Sequence, residues 1–314
     1  MEYGFAFFPG QGAQAPGMGK DLYENSQAAR LVFEEASEGA GLDVAKLCFD
    51  SDKETLSRTE NSQIAIFTHS MAALAALTEA GVTFKAAAGF SLGEYTALAA
   101  AGVVSLADGV KIVSMRGKLM QQAADAIDGG MAAILGLEDA KIEEACAAVK
   151  SGLVRPVNYN CPGQLVIGGQ KAAVDRAAEL AKEAGAKRCL PLKVSGPFHT
   201  ALMHPAGVAL AERFAGVTFA PMRMPVLFNC LGHEKAPADS IADLLVRQVQ
   251  SSVYLEDTIR RLAELGVDTV VEIGPGRAIS GFVKKTVGSA MTCLNIETAE
   301  EFAAAVAQLK EARV

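Results

Sequence analysis

The chain has 314 residues and half of them are hydrophobic, so it can bury a large core, which argues against disorder. Its formal net charge of −7 argues against nucleic acid as the main partner, because a nucleic-acid-binding surface must be basic. The six scattered cysteines include no CxxC pair and no histidine at zinc-finger spacing, which indicates reduced thiols and no structural metal.

Neither a signal peptide nor a membrane span is predicted. The N-terminus has an acidic residue before a short apolar run that stops at Pro9, unlike the basic start of a secretory signal. The apolar stretch at 64–77 is shorter than the ~20 residues that cross a bilayer. We therefore expect a cytoplasmic protein.

Short apolar runs mark the predicted strands of the main body. They lie at 3–8, 86–90, 226–229 and 269–273, and helical patterns occur between most of them. Continuous rather than alternating hydrophobicity is typical of strands that are covered on both faces. The pattern predicts an α/β fold with a mostly parallel sheet.

The stretch at 130–195 has a different pattern. It predicts, in order, a strand, a helix, two strands joined by the turn "CPG", a helix and a strand. That order is the ferredoxin-like split arrangement. We expect an inserted ferredoxin-like subdomain at 129–195, with edges that form one wall of a cleft, and a larger body from 1–128 and 196–314.

The segment "GFSLGE" places Ser91 between Gly89 and Gly93, after a strand-like run and before a helix-like one. Glycines on both sides of a serine permit the sharp turn of a nucleophile elbow, which predicts an α/β-hydrolase-like body. A serine that only caps the following helix is the alternative.

A nucleophilic serine needs a base, because its proton is held too tightly at neutral pH. His69 lies in a helical apolar pattern, typical of a core histidine, and His233 lies in a polar turn. His199 follows the last strand of the predicted subdomain, whereas His204 would face elsewhere in a helix. We favour His199 as the base, and a structural role for it stays open.

The first predicted strand ends in the glycine-rich loop "FPGQGAQ", which matches neither the Walker nor the dinucleotide-binding pattern. Backbone N–H groups of this loop and of Leu92, the residue after the serine, could hold an oxyanion. An ordinary turn is the alternative.

Two polar residues fall on apolar helix faces. In the predicted helix at 105–123, which begins with a Ser105 cap, Arg116 lies near the middle of the apolar arc. A buried arginine needs an internal carboxylate or an anionic ligand, which it holds in a bidentate fork. Gln248 continues an apolar stripe that starts at Ile241, so it should bond to something specific, in a core or in a site.

Taken together, these segments resemble the malonyl-CoA:acyl carrier protein transacylases of fatty acid synthesis. The resemblance runs in the order of that family over nearly the whole chain. The matching segments are "FPGQGAQ", "GFSLGE", "SMRGKLMQ", "NYNCPGQLVIGG", "SGPFHTALM", "RQVQSSV" and "EIGPGRAISGFVKK".

The resemblance implies a ping-pong acyl transfer through a malonyl-serine ester. Ser91 would be the nucleophile and His199 the base, with a backbone carbonyl around Gln248 orienting the imidazole in place of an aspartate. Arg116 would bind the malonyl carboxylate. The backbone N–H groups of Gln11 and Leu92 would form the oxyanion hole. Gln248, Asn160 and Phe198 would be supporting residues of the site.

One position departs from the family. Many members have histidine immediately before the nucleophile, where this chain has Phe90, so any auxiliary role of that histidine is absent. Phe198 resembles the members that accept malonyl rather than methylmalonyl groups, because its ring would crowd an α-methyl group.

The implied partners are a coenzyme A thioester and acyl carrier protein, with no metal or redox cofactor, and we expect a monomer. Because carrier proteins of this pathway are acidic, docking should use a basic patch. The candidate docking residues are Lys187, Arg188, Arg277, Lys284 and Lys285, and a solvated charged face is the alternative.

Three other functions stay open at this point. A serine hydrolase or thioesterase would share the elbow and the base, but it would have no reason to bury a cation in its acyl pocket. An acyltransferase that serves a polyketide pathway would share every motif. A noncatalytic acyl-binding protein would leave the buried polar residues unexplained.

Overall fold

The computed structural model describes residues 2–311 of the chain, with side chains described from residue 4 onward. Residue 1 and residues 312–314, which the predicted body includes, lie outside this range. Among the described residues, no helix combines the length and the apolar character that a bilayer crossing requires.

Strands and helices follow one another along most of the chain. The strands are β1 (Glu2–Phe8), β2 (Thr83–Gly89), β3 (Gly129–Leu135), β4 (Val154–Cys161), β5 (Gln164–Gln170), β6 (Arg188–Pro191), β7 (Val226–Phe228), β8 (His233–Glu234), β9 (Val253–Tyr254), β10 (Thr269–Ile273) and β11 (Thr292–Ile296). The helices are α1 (Lys20–Asn25), α2 (Gln27–Ala40), α3 (Val44–Asp50), α4 (Lys53–Ser57), α5 (Thr59–Glu79), α6 (Leu92–Ala100), α7 (Leu106–Asp125), α8 (Asp139–Ala148), α9 (Lys171–Glu183), α10 (His204–Phe214), α11 (Ile241–Gln248), α12 (Leu255–Glu264), α13 (Ala278–Val287) and α14 (Ala299–Glu311).

The chain divides into two compact units, which we call the first and the second unit. The first unit contains 1–117, 218–228 and 262–314, and the second contains 118–217 and 229–261. The second unit therefore includes the predicted insertion at 129–195 together with flanking segments on both sides.

The first unit contains a parallel sheet in the strand order β11-β10-β1-β2-β7. Its central strand β1 buries Phe5, Phe7 and Phe8 completely, as expected for a strand that is covered on both faces. Strand β2 begins at Thr83, three residues before the predicted start at 86. The apolar run missed these residues because the first half of the strand alternates between exposed and buried positions. The sequence pattern did not predict the edge strand β11, whose residues "TCLNI" mix polar and apolar side chains.

The second unit contains a sheet in the order β6-β3-β5-β4-β9. The pairs β3–β5, β3–β6 and β4–β5 are antiparallel, and β9 pairs with β4 in parallel. Side chains of β3 and β5, among them Ile134, Leu165 and Ile167, form a core with those of α8 and α9, among them Ile142 and Val174. The element order at 129–191 is the predicted strand, helix, strand, strand, helix, strand.

Two helices of the first unit show how the sequence sets local structure. Helix α7 begins as predicted, because Ser105 Oγ accepts a hydrogen bond from Asp108 N at 3.1 Å and donates one to Asp108 Oδ2 at 2.7 Å. Helix α5 is buried around much of its circumference, which is typical of a helix that is apolar on all sides.

The histidine of α5 lies in this core. His69 is fully buried, and its Nε2 lies 2.9 Å from the backbone oxygen of Glu297. A carbonyl only accepts hydrogen bonds, so Nε2 carries the proton, and Nδ1 has no hydrogen-bond partner among the described residues. Burial lowers the pKa of His69 from 6.5 to about 4.

Acidification is therefore expected to destabilise the protein through His69. The unfolded chain protonates this side chain near pH 6.5 and the folded chain only near pH 4, so its contribution is present above pH 6.5 and is lost as the pH falls toward 4. The free energy of unfolding, measured by chemical denaturation, should fall for the wild type as the pH is lowered from 6.5 to 4. For His69→Gln this fall should be smaller by up to about 3 kcal/mol.

The exposed His233 provides the control, because His233→Gln should keep the pH dependence of the wild type. If the free energy of unfolding depended equally on pH in the wild type and in His69→Gln, the assignment of this destabilisation to His69 would be contradicted.

Candidate active site

Ser91 lies in a sharp turn between β2 and α6. Its backbone has a φ of 52° and a ψ of −101°, a conformation that non-glycine residues rarely adopt. A Cβ on Gly89 would lie 1.8 Å from the carbonyl carbon of Gly93, and one on Gly93 would lie 2.1 Å from the oxygen of Phe8. Both glycines are therefore required for the turn to close.

The side chain of Ser91 does not cap helix α6. Its Oγ instead accepts a hydrogen bond from Arg116 Nη2 at 3.3 Å. Of the two interpretations of "GFSLGE", the geometry favours an elbow that presents the hydroxyl to a cation over a helix cap.

The guanidinium of Arg116 is buried beside this hydroxyl, with 1% of the residue exposed. Its Nη1 donates to Gln63 Oε1 of α5 at 2.7 Å, and its Cζ lies 4.9 Å from the centre of the Tyr95 ring. Burial lowers the pKa of Arg116, and the neighbouring Tyr95 and Glu94 act in the opposite direction. Since arginine stays charged in proteins, the site holds a buried positive charge.

Helix α6 supplies both of those neighbours. Burial raises the pKa of Tyr95 to about 12, so this side chain is a neutral phenol under the cation at neutral pH. Glu94 is fully buried, and its charge is the smaller of the two influences on Arg116. A cation–π contact and a nearby carboxylate make a buried arginine tolerable.

The glycine-rich loop after β1 packs directly on the elbow. A Cβ on Gly10 would lie 2.2 Å from the oxygen of Phe90, and Phe90 N donates to Phe8 O at 2.9 Å. The next residue, Gln11, donates from Nε2 to Thr59 Oγ1 at 3.3 Å. Leu92 is the first residue of α6, where the N–H groups of a helix lack intrahelical partners and favour an anion.

In the second unit, His199 is buried and its ring is held by a backbone carbonyl. Nδ1 lies 2.8 Å from the oxygen of Gln248, and His199 N donates to Val249 O at 3.2 Å. Because the carbonyl can only accept, Nδ1 carries the proton and Nε2 is left as the basic nitrogen. A carbonyl at residue 248 thus has the orienting position that an aspartate has in a catalytic triad.

The side chain of Gln248 is fully buried, as its place on the apolar stripe predicted. Its Nε2 donates to Asn229 Oδ1 at 3.4 Å. Asn160, at the end of β4, has 4% of its surface exposed, and its Oδ1 has no hydrogen-bond partner among the described residues. Phe198 is also buried, directly before His199.

Ser91 and His199 share a backbone property. In the described part of the chain they are the two non-glycine residues with positive φ, at 52° and 62°. Such conformations are strained by about 1–3 kcal/mol each and cluster at functional sites. This observation is independent of the sequence motifs and points to the same two residues.

At the departure from the family, the ring of Phe90 packs on another aromatic residue. Its centroid lies 6.4 Å from that of Phe282 on α13, with the rings edge to face at 84°. The residue before Ser91 is thus held by an aromatic contact of a kind worth about 0.5–1.5 kcal/mol.

The predicted docking cations are all exposed. Lys187 and Arg188 lie at the start of β6 in the second unit, and Lys284 and Lys285 lie in the last turn of α13 in the first. Arg277 forms an ion pair with Glu301, so its charge is partly matched within the protein. Of the other histidines, His204 begins α10 and His233 lies in β8, and both are exposed.

Sequence reasoning missed the residues that surround Arg116. Gln63 is a fully buried polar residue in the apolar pattern of α5, and the argument used for Gln248 would have found it. Glu94 is the last residue of "GFSLGE" and Tyr95 follows it. Their closeness to Ser91 in sequence was the only signal that they belong to the site.

Comparison with known proteins identifies the family. The acyl transferase domain family matches residues 6–310. The malonyl CoA-acyl carrier protein transacylase of Bacillus subtilis is 42% identical over 306 residues, which is 97% of this chain and 96% of the relative. The transacylase of the same name from Escherichia coli K12 is 44% identical over 286 residues, or 90% of this chain and 93% of the relative.

Solved structures agree with these relatives. The malonyl CoA-acyl carrier protein transacylase of Clostridium perfringens superposes with a TM-score of 0.94 at 39% identity, covering 99% of this chain and 98% of that one. A malonyl-transacylase in complex with a type II PKS acyl-carrier protein also has a TM-score of 0.94, at 38% identity and 98% and 100% coverage. The chain therefore belongs to the acyl transferase domain family and, within it, to the malonyl CoA-acyl carrier protein transacylases.

Proposed function

We propose that this protein transfers the malonyl group of malonyl-CoA to the phosphopantetheine thiol of acyl carrier protein through a malonyl ester on Ser91. The observation that carries the proposal is the buried guanidinium of Arg116, 3.3 Å from Ser91 Oγ. A nucleophile beside a buried cation suits an acyl group that has its own carboxylate, as malonyl has.

Arg116 would select the substrate and position it. Its Nη1 and Nη2 now bond to neutral oxygens of Gln63 and Ser91. A malonyl carboxylate would offer the guanidinium a charged, bidentate partner at a buried position, where such a pair is strongest. Binding of the carboxylate would then place the thioester carbonyl near the hydroxyl.

We assign the proton transfer to His199, whose tautomer supports the role. Its Nε2 would take the proton of Ser91 as Oγ attacks the thioester, and would return it to the departing thiolate of coenzyme A. In the second half-reaction the same nitrogen would deprotonate the phosphopantetheine thiol, which then attacks the serine ester. The ester bond to Ser91 Oγ breaks, and His199 returns the proton to this oxygen. Two half-reactions through a covalent intermediate give ping-pong kinetics.

The backbone N–H groups of Gln11 and Leu92 would stabilise the oxyanion of each tetrahedral intermediate. The packing of the glycine-rich loop on the elbow and the position of Leu92 at the start of α6 support this assignment. Each such donor is worth roughly 10²- to 10³-fold in rate. Gln248 and Asn160 would support the site, and Phe198 would crowd an α-methyl group.

For the fold, we propose an α/β-hydrolase-like body at 1–128 and 196–314 with a ferredoxin-like subdomain inserted at 129–195. The turn at Ser91 supports the first assignment. The order β6-β3-β5-β4, with the last strand of the motif beside the first, supports the second.

The exchange of a thioester for a serine ester involves no change of oxidation state, so we propose that the reaction needs no redox cofactor. We also propose that it needs no metal, because Arg116 and the backbone N–H groups would stabilise the negative charges. A monomeric state and a cytoplasmic location stay predictions. The carrier protein of a type II polyketide pathway is a second candidate acceptor, because one of the similar structures contains such a carrier.

Labelling would test the nucleophile. With radiolabelled malonyl-CoA and no carrier, the wild type should retain label on the protein, and carrier protein should then remove it. Ser91→Ala should not be labelled and should lose at least about 10³-fold in transfer. The exposed Ser289→Ala is the control and should be labelled like the wild type. Label on Ser91→Ala, or rapid release of free malonate by the wild type, would contradict the proposal.

Arg116→Ala should change the choice of acyl group. We expect malonyl transfer to fall by about 100-fold or more, because truncating one partner of a buried charge pair costs about 2–5 kcal/mol. Acetyl-CoA, which has no carboxylate, should lose far less. Arg116→Lys keeps the positive charge without the bidentate fork, so its rate of malonyl transfer should lie between those of the wild type and Arg116→Ala. Thermal melting checks that each variant is folded. An unchanged ratio of malonyl to acetyl transfer would refute the role.

Charge reversal would test the docking residues of α13. Lys284→Glu with Lys285→Glu should raise the KM for carrier protein about three- to tenfold and leave acylation by malonyl-CoA unchanged, because rim charges act on association. A charge-matched control, Lys46→Glu with Lys53→Glu, changes two exposed lysines elsewhere on the first unit. If both double variants gave the same carrier KM, α13 would not be a docking element.

A further inference from the structure

Strand β6 and the residue that follows it expose two neighbouring leucines. Leu190 is 42% exposed and Leu192 is 36% exposed. Along an extended chain, residues two apart lie on the same face, so Arg188, Leu190 and Leu192 share one face. The extended course continues past the end of β6, because Leu192 N donates to Met131 O at 2.9 Å.

This face points away from α8 and α9, the two helices that pack on the other side of the sheet. Cys189 lies opposite Ile134 of β3, and both pack in the core with α8 and α9. Leu190 lies opposite Ala133, the next position along β3, and therefore projects from the other side of the sheet.

Cations flank the two leucines. Lys187, Arg188 and Lys193 are exposed, and no acidic residue occurs between Lys187 and Lys193. None of the three forms an ion pair within residues 2–311. We call residues 187–193 the docking strand. Apolar side chains at the centre with charges around them are typical of a transient protein–protein interface.

The edge of the sheet itself is a poor surface for strand pairing. β6 is the outer strand of its sheet, and Pro191 removes one backbone N–H group from it. Proline and positive charge on an edge strand oppose pairing with the edge of a second copy of the chain. A partner would therefore contact the side chains rather than extend the sheet.

We infer that the docking strand binds an acidic protein with a small apolar patch, with Leu190 and Leu192 at the centre of the interface. Naming that protein as acyl carrier protein rests on the proposed function. Of residues 187–193, the sequence analysis named Lys187 and Arg188 as docking candidates, and the structure adds the two leucines and Lys193. The strand ends six residues before His199, so docking here would deliver the phosphopantetheine arm next to the segment that bears the proposed base.

If the docking strand binds carrier protein, changes to Leu190 and Leu192 should affect malonyl transfer to carrier protein but not to a small acceptor. We would measure malonyl transfer from malonyl-CoA to carrier protein and, in parallel, to free pantetheine. Leu190→Ser with Leu192→Ser should raise the KM for carrier protein about tenfold, because the binding energy of an interface is concentrated in a few residues at its centre. Its kcat and its transfer to pantetheine should match those of the wild type.

Two further variants separate docking from general effects. Leu190→Met with Leu192→Met keeps the apolar area and should restore the wild-type KM for carrier protein. Leu31→Ser with Leu265→Ser changes two leucines of the first unit that are 55% and 46% exposed, and it should leave every parameter unchanged.

Each result has a distinct meaning. An unchanged carrier KM in the serine double variant, or an equal loss with pantetheine, would overturn the docking strand while leaving the proposed function in place. Failure of the wild type to transfer malonyl to either acceptor would overturn the proposed function, and with it the carrier protein as the partner. Transfer by the wild type to pantetheine but not to carrier protein would overturn carrier protein both as the acceptor in the proposed function and as the partner of the docking strand.

Discussion

The arrangement of the first unit around Ser91 depends on the burial of one positive charge. A guanidinium that loses its water must be surrounded by groups that accept its hydrogen bonds and stabilise its charge. Three elements provide them: α5 through Gln63, the elbow through Ser91, and α6 through Tyr95 and Glu94. We propose that the same requirement makes the site selective, because a malonyl carboxylate would be a better hydrogen-bond partner for the guanidinium than the neutral oxygens of Gln63 and Ser91.

Backbone strain and glycine packing hold the reactive groups in place. Gly10, Gly89 and Gly93 let three chain segments approach more closely than any side chain would permit. The strained conformations at Ser91 and His199 persist because the surrounding hydrogen bonds and packing determine them.

Phe90 shows how this chain differs within its family. Many members have an imidazole before the nucleophile, which can form hydrogen bonds, whereas here an aromatic ring packs on Phe282 of α13. The same helix bears Lys284 and Lys285, so the elbow and one of the proposed docking elements are in direct contact within the first unit. Any auxiliary role of that imidazole is therefore absent here, and the proposed base, His199, does not depend on this position.

The sequence by itself determined the local structure and the inventory of candidates. Continuous apolar runs predicted β1, β7 and β10 closely, and the Ser105 capping pattern predicted the start of α7. Helical periodicity predicted that Arg116 and Gln248 are buried, because the period of a pattern reveals which face of a helix points inward. These are properties of neighbouring residues along the chain.

Only the tertiary structure decided what those buried groups contact. Gln63 lies 53 residues from Arg116, and Gln248 lies 49 residues from the histidine that its carbonyl orients. No periodicity encodes such pairs, because a pattern specifies a buried face but not the element that covers it. The edge strand β11 and the exposure of Leu190 and Leu192 escaped prediction for the same reason: whether a strand is central or peripheral is a property of the whole sheet.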